Sequence, residues 1–164
     1  EHEIQLKRLQ AHFGVDKKAH LTVPYSIHLN ALLSHQIENK MPSLKEANAA
    51  FLANSGFDSR DLGVFENFEQ AYQQFMVDLV VQQIYSLRLL LDSSPVDRIL
   101  VDGGFSKNEI YMQLLAYAFP EVAIYGAEVA QASSLGAALA IHSTWNDQEI
   151  PINLVSLKRY EACE

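Results

Sequence analysis

Arg98-Ile99-Leu100-Val101-Asp102-Gly103-Gly104-Phe105-Ser106-Lys107-Asn108-Glu109 decides the fold class. Ile99, Leu100 and Val101 are a short continuous apolar run, the pattern of a strand buried on both faces in a parallel sheet. The run stops at Asp102, and two glycines follow, so the backbone can turn sharply and approach another group with no Cβ in the way. Ser106 precedes Glu109 at capping-box spacing, which predicts a helix start. Ile110, Leu114, Leu115 and Ala118 continue that helix. Strand, Gly-Gly turn and capped helix together place backbone N–H groups and a positive helix end at the carboxyl edge of a sheet. Ligands of open α/β sheets bind at that edge. A tight βα turn that binds nothing has the same spacing. The chain contains neither G-x-G-x-x-G nor the G-x-x-x-x-G-K-[ST] of a P-loop.

Working outward, Asn67 with Gln70 opens the longest predicted helix, which runs to about Leu91. Phe68, Ala71, Tyr72, Phe75, Met76, Leu79, Val80, Ile84, Leu87, Leu90 and Leu91 give it one broad apolar face. That face is expected to pack on the sheet carrying Ile99–Val101. Asp92-Ser93-Ser94-Pro95 ends the helix. On the other side of the Gly-Gly unit, Pro120 stops the second helix, and Val122 to Tyr125 reads as a strand bounded by Gly126. Ala130 to His142 reads as a small-residue helix in which close packing offsets the loss of about 1 kcal/mol at Gly136. The first part of the chain is helical: residues 3–13 closed by Gly14, residues 27–38, and a third helix opening at Ser43 with Glu46 and closing at Ser55-Gly56. Residues 15–25 read as a loop, and the tail from Trp145, with Pro151 and Val155-Leu157, is expected to dock or fray.

The 164 residues suffice for one domain with a real core. Apolar residues make up 49% and charged residues 20%, a globular composition. A net charge of −8 with no basic cluster beyond two residues argues against nucleic acid or an anionic membrane as partner. Apolar runs fall far short of the ~20 residues of a membrane span. The lone Cys163 excludes an internal disulfide and points to a reducing, cytoplasmic setting. The chain begins at Glu1, not Met, and is expected to be part of a longer polypeptide.

Catalytic chemistry is hard to find. His28 and His35, seven apart, could ligate a metal but lack a third ligand nearby, and a solvent or partner face explains them as well. Arg60 could reach a phosphate or pair with Asp58, Asp61 or Glu66. Asp102 could serve a ligand site, or form the turn by capping the glycine N–H groups. No catalytic and no metal-binding residue is assigned.

Val101-Asp102-Gly103-Gly104-Phe105-Ser106-Lys107-Asn108, then Leu114-Leu115-Ala116, then Gln131-Ala132-Ser133-Ser134-Leu135-Gly136-Ala137-Ala138-Leu139, resembles the end of an FGGY-family carbohydrate kinase. Order and spacing agree over residues 97–142. The resemblance implies a ribonuclease-H-like (actin-like ATPase) α/β fold, helix-rich with a short parallel sheet. It implies a partial C-terminal domain over 1–164: a helical segment 1–66, an αβαβα nucleotide-binding core 67–142 and a tail 143–164. By the same resemblance Gly103, Gly104 and Asn108 bind the nucleotide. Gly104 would leave room for adenosine, Asn108 would offer its amide, and Gly136 would pack behind the pocket. The implied reaction is transfer of the ATP γ-phosphate, with Mg²⁺, to a hydroxyl of a ketose such as rhamnulose, xylulose or fuculose, or of a related polyol. The family's base aspartate in a Gly-Asp segment and its Gly-Thr-Gly phosphate turn are absent from this sequence, and Gln70-Ala71-Tyr72-Gln73-Gln74 keeps only the alanine of its Arg-Ala-x-x-Glu pattern. The chain alone is therefore expected to be inactive, its implied partners being ATP, a sugar and the N-terminal half of the same kinase; a homo-oligomer stays open. The competing readings are a non-enzymatic α/β interaction module and another actin-like phosphotransferase.

Overall fold

The computed structural model describes residues 1–45, 48–91, 96–127, 132–150 and 156–163. Its centre is a helix, α4 (Phe68–Leu91). The Asn67 side chain accepts the Gln70 backbone N–H at 2.9 Å, and the Gln70 side chain accepts the Glu66 N–H at 2.8 Å, which closes the expected start. From Ala71 to Val81 the helix is buried almost all round, with only Gln74 and Leu79 partly exposed. A helix enclosed in this way has neighbours on every side, beyond the one broad face that the spacing predicted. Its principal neighbours are α2 (His28–Lys40) and α5 (Glu109–Ala118), then α1 (His2–Phe13) and the short α3 (Ala49–Ala53). The sheet is therefore not its main seat: α5 bridges the two, touching α4 as well as the strands. Leu90, expected in the core, is 65% exposed.

The first helices follow local signals unevenly. α1 ends at Gly14 with φ 64°, the left-handed cap expected there. The helix expected from Ser43 begins instead at Ala49. Asn48 caps it by accepting the Phe51 N–H at 3.0 Å, and the Asn48 N–H donates to the Tyr85 hydroxyl on α4 at 3.0 Å. That tertiary bond fixes the start, while among the described residues the Ser43 hydroxyl accepts the nearby Lys45 N–H; Glu46 lies outside them. Arg60 passes over its sequence neighbours and makes a two-pronged pair with Asp78 of α4 at 2.5 and 2.8 Å. Asp61 and Asp58 are occupied locally, by the Gly63 N–H and the Asn54 amide.

The sheet has the order β1-β2-β3, where β1 is Arg98–Val101, β2 is Ala123–Ala127 and β3 is Leu157–Tyr160. β1 and β2 are the expected parallel pair, with Ile99 opposite Ile124 and Val101 opposite Gly126. β3, from the tail, adds an antiparallel strand, so the sheet is mixed. Gly126 lies within β2 instead of bounding it. β1 is not buried on both faces: Ile99 and Val101 are half-buried, whereas Leu100 is 61% exposed. After β2 come α6 (Ala132–Ala140) and α7 (His142–Trp145). Among the described residues, a Cβ at Gly136 would meet no atom within 4 Å, so the expected close packing is not seen there. Asp92–Pro95, Ala130, Gln131, Pro151 and Val155 lie outside the described residues. Among the described residues, no helix is long and apolar enough to cross a membrane.

The enclosure of α4 ranks its side chains. Met76→Ala, at a fully buried position, is expected to cost about 2–5 kcal/mol. Leu79→Ala, half-buried, should cost less than half as much. Urea unfolding of the two variants checks the order, and equal losses would contradict the packing.

Candidate functional site

The site is built where β1 ends. Asp102 is extended, and its carboxylate accepts the Gly103 N–H at 2.7 Å. Of the two roles open to it, the structure shows the turn-capping one. Gly103 has φ +77°, a conformation that a side chain strains, so this glycine is required by the backbone itself. Gly104 has no such φ, and a Cβ on it would meet nothing within 4 Å. Among the described residues, the space above Gly104 is open.

Gly103–Lys107 wind into a 3-10 helix, and α5 starts after it. The expected Ser106–Glu109 capping box does not form. The Ser106 hydroxyl, buried, lies 2.8 Å from the Gly103 carbonyl and 2.9 Å from the Ala127 carbonyl, and donates to one at a time. Glu109 turns to the Gln113 amide at 3.1 Å and the Lys158 ammonium at 3.2 Å. The cap of α5 is Asn108, whose side-chain oxygen accepts the Tyr111 N–H at 3.0 Å. Its Nδ2 donates to the Tyr72 hydroxyl of α4 at 2.8 Å. Gly103, Gly104 and Asn108 thus belong to one turn, with the glycines outermost and the Asn108 amide directed inward.

Tyr72 is the polar end of an aromatic cluster under the turn. The His2 Nε2 is 3.5 Å from its hydroxyl. His2 stacks on Phe75 at 5.7 Å and meets Phe105 edge-on at 5.2 Å. Burial, with His20 close by, holds the His2 pKa below its ordinary value. Burial raises Tyr72 to about 12, against the opposing hydrogen bond from Asn108, and raises Tyr111 to about 12 as well. On the sheet side of the turn, a cleft of about 230 Å³ is lined by Ser106, Lys107, Gly126, Ala127, Lys158 and Tyr160.

Other candidates from the sequence lie elsewhere. His28 and His35 are exposed on α2, His28 contacting Ser26 at 2.7 Å. Among the described residues, no group of three or more His, Cys, Asp or Glu could hold a metal ion. Arg60 is taken by Asp78. Sequence reasoning missed Tyr72 and Gly126 as parts of the site. The available signal for Tyr72 was a phenol at a core position, whose hydroxyl needs a partner when buried.

Asn108→Ala removes the α5 cap and leaves the Tyr72 hydroxyl short of a donor. It should cost about 1–2 kcal/mol, and Tyr72→Phe about 1 kcal/mol. Their double mutant should lose less than the sum, because both break one bond; chemical denaturation of the four proteins measures this. The tyrosines also set an alkaline limit. Below pH ~10 the phenols are neutral folded or unfolded, so they add no pH dependence. Between pH ~10 and 12 the unfolded chain ionises first, so stability falls as pH rises. Tyr72→Phe should flatten that fall, read from urea midpoints between pH 8 and 11.5.

Residues 21–145 match the model of the FGGY family of carbohydrate kinases, C-terminal domain. Among solved structures, the chain is similar to a carbohydrate kinase from Novosphingobium aromaticivorans, with 18% identity and a TM-score of 0.48 over 94% of this chain and 32% of that one. The chain thus spans about a third of the length of that structure. No curated protein matches it. A family match over most of the chain, on a strand, Gly-Gly turn and helix that the structure forms, shows that the chain belongs to the FGGY family of carbohydrate kinases, as its C-terminal domain with the family's actin-like ATPase fold.

Proposed function

We propose that the chain is the nucleotide-binding C-terminal portion of an ATP-dependent kinase acting on a sugar hydroxyl, with a ketose such as rhamnulose, xylulose or fuculose, or a related polyol, as substrate. One observation carries the reading beyond the family: the Gly-Gly turn stands at the carboxyl end of a parallel strand with open space over Gly104. Adenosine would lie against Gly103 and Gly104. Asn108 has committed one N–H to Tyr72 and one lone pair to the α5 cap. The amide nitrogen also lies 4.0 Å from the Met76 sulfur, so the second lone pair of the side-chain oxygen is what Asn108 would offer the nucleotide.

On this reading the chain is a partial domain, with residues 1–66 a helical support, 67–142 the nucleotide-binding core and 143–164 a tail whose β3 extends the sheet. ATP bound with Mg²⁺ supplies the transferable phosphoryl group. Among the described residues, no group of three or more His, Cys, Asp or Glu side chains could hold the metal. The base that takes the sugar proton would come from the N-terminal half of the same kinase, together with the phosphate turn. What this chain supplies is a surface that binds and orients adenosine. A cytoplasmic enzyme without nucleic-acid or membrane partners completes the reading, and the charge of −8 supports it. The inward amide of Asn108 favours a second reading, a non-enzymatic module with a purely structural turn.

Gly104→Val separates the two. A Cβ at Gly104 meets no atom and its φ is ordinary, so the variant should melt as wild type does. In the whole protein, calorimetric titration should show ATP binding weakened at least tenfold and sugar binding unchanged. Unchanged ATP binding would assign the turn a structural role only. The chain by itself should turn over no ATP with any ketose; activity above a protein-free control, lost on mutating a residue of this chain, would refute the division of labour.

A further inference from the structure

We infer that Gly126, on β2 and outside the Gly-Gly motif, is a positioning residue for the turn. The inference rests on the reading of that turn as the nucleotide edge. A strand-interior glycine marks a place where another backbone comes close. At Gly126 that backbone is the turn itself. A Cβ there would lie 2.9 Å from the Ser106 carbonyl oxygen, 3.2 Å from the Tyr160 ring and 3.4 Å from the Met112 methyl. The methyl can swing aside. The Ser106 carbonyl cannot move alone, because it belongs to the 3-10 helix.

Two contacts brace that helix or tie it to the sheet. Asn108 N–H donates to the Phe105 carbonyl at 3.1 Å, and the Ser106 hydroxyl shares its one hydrogen between the Gly103 carbonyl and the carbonyl of Ala127, the next residue along β2 from Gly126. The Tyr160 hydroxyl approaches the Ser106 carbonyl from β3 at 3.4 Å. Ser106 thus sits in a socket made by β2 and β3, and the floor of the socket is the missing side chain of Gly126. A methyl group on that floor lifts Ser106, stretches its bond to Ala127, and carries with it Gly103 and Gly104 on one side and Asn108 on the other. The glycines bracket the ligand space, whereas Gly126 sets its height above the sheet. Among the described residues, a Cβ on Gly103, Gly104 or Gly136 would meet no atom within 4 Å, and one on Gly63 would meet only the Asp61 side chain, so Gly126 is the glycine of these that another stretch of backbone approaches.

The test uses the whole protein that carries this chain. Gly126→Ala should raise KM for ATP at least tenfold, leave KM for the sugar within twofold, and leave kcat at saturating ATP near wild type. Amide hydrogen exchange should quicken in residues 102–108 and stay unchanged in α4. Ser106→Ala, which removes the hydroxyl and adds no volume, should show the same split in weaker form, and it decides the matter if Gly126→Ala does not fold. Gly136→Ala is the control and should change none of these. If exchange over 102–108 and KM for ATP both stay at wild-type values, Gly126 does not position the turn. A rise in both KM values with faster exchange throughout would equally overturn the inference, as general destabilisation. If the wild-type protein binds no ATP, the nucleotide reading itself fails, and the exchange data still report whether Gly126 shapes the turn.

Discussion

A helix enclosed on all sides cannot leave a polar group without a partner, since burying one unpaired costs roughly 1–3 kcal/mol. The enclosed stretch of α4 carries three such groups, and each draws a different segment to it. The Gln73 side chain donates to the Pro24 carbonyl at 3.2 Å, which brings in the loop before α2. Asp78, only 4% exposed, takes the Arg60 guanidinium and so seats the connection after α3. Tyr72 takes the Asn108 amide and so fixes the start of α5. Apolar burial around α4 supplies the larger favourable term but is non-directional. The three polar bonds are directional, and they set where each segment lies.

The same logic explains why α5, and not the sheet, is the direct neighbour of α4. Asn108 must reach Tyr72 and also cap α5, so the first turn of α5 is held against α4. Ile110, Met112, Leu114 and Leu115 are then buried in the helical layer or against the strands. Among the described residues, the three short strands pack mainly through one of their faces. Ile99, Ile124 and Tyr160 lie on the packed face, while Leu100 and Leu157, at 61% and 40% exposure, are on the other.

What was legible in the sequence was mostly what is decided within a few residues. Gly14 as a helix terminator, Asn67 with Gln70 as a helix start, Pro120 as a stop and the strand–Gly-Gly–helix order all depend on near neighbours, and the structure forms them. The misreadings share a different origin. Ser106 and Glu109 have capping-box spacing, but the serine hydroxyl meets a carbonyl 21 residues away, and the cap passes to Asn108. Arg60 had three carboxylates close in sequence and pairs with one 18 residues on, because local turns use two of the three. Ser43 lost its helix to Asn48, anchored by Tyr85. β3 carries too weak an alternation to announce itself, and its strand character comes from the free edge of β2. Within the candidate site, the glycines could be seen and their support could not, since Tyr72 and Gly126 act through contacts that no local pattern encodes.

On the proposed reading, Asn108 ties a nucleotide edge to the fold that carries it. Its carbonyl caps a helix and its amide is bonded to a buried phenol, so the side chain is held at both ends before any ligand arrives. Holding it costs conformational entropy that folding has already met, which leaves less to lose on binding. The arrangement also restricts what a ligand can ask of the residue. A nucleotide that pulled the amide away from Tyr72 would leave a buried hydroxyl short of its donor and loosen the α5 cap at once. A ligand that uses only the remaining lone pair, with its bulk in the open space over Gly104, disturbs neither. If the proposed nucleotide reading holds, the geometry favours shape, set by the glycines and by the socket under Ser106, as the main source of recognition at this edge, with Asn108 fixing the frame in which that shape is presented.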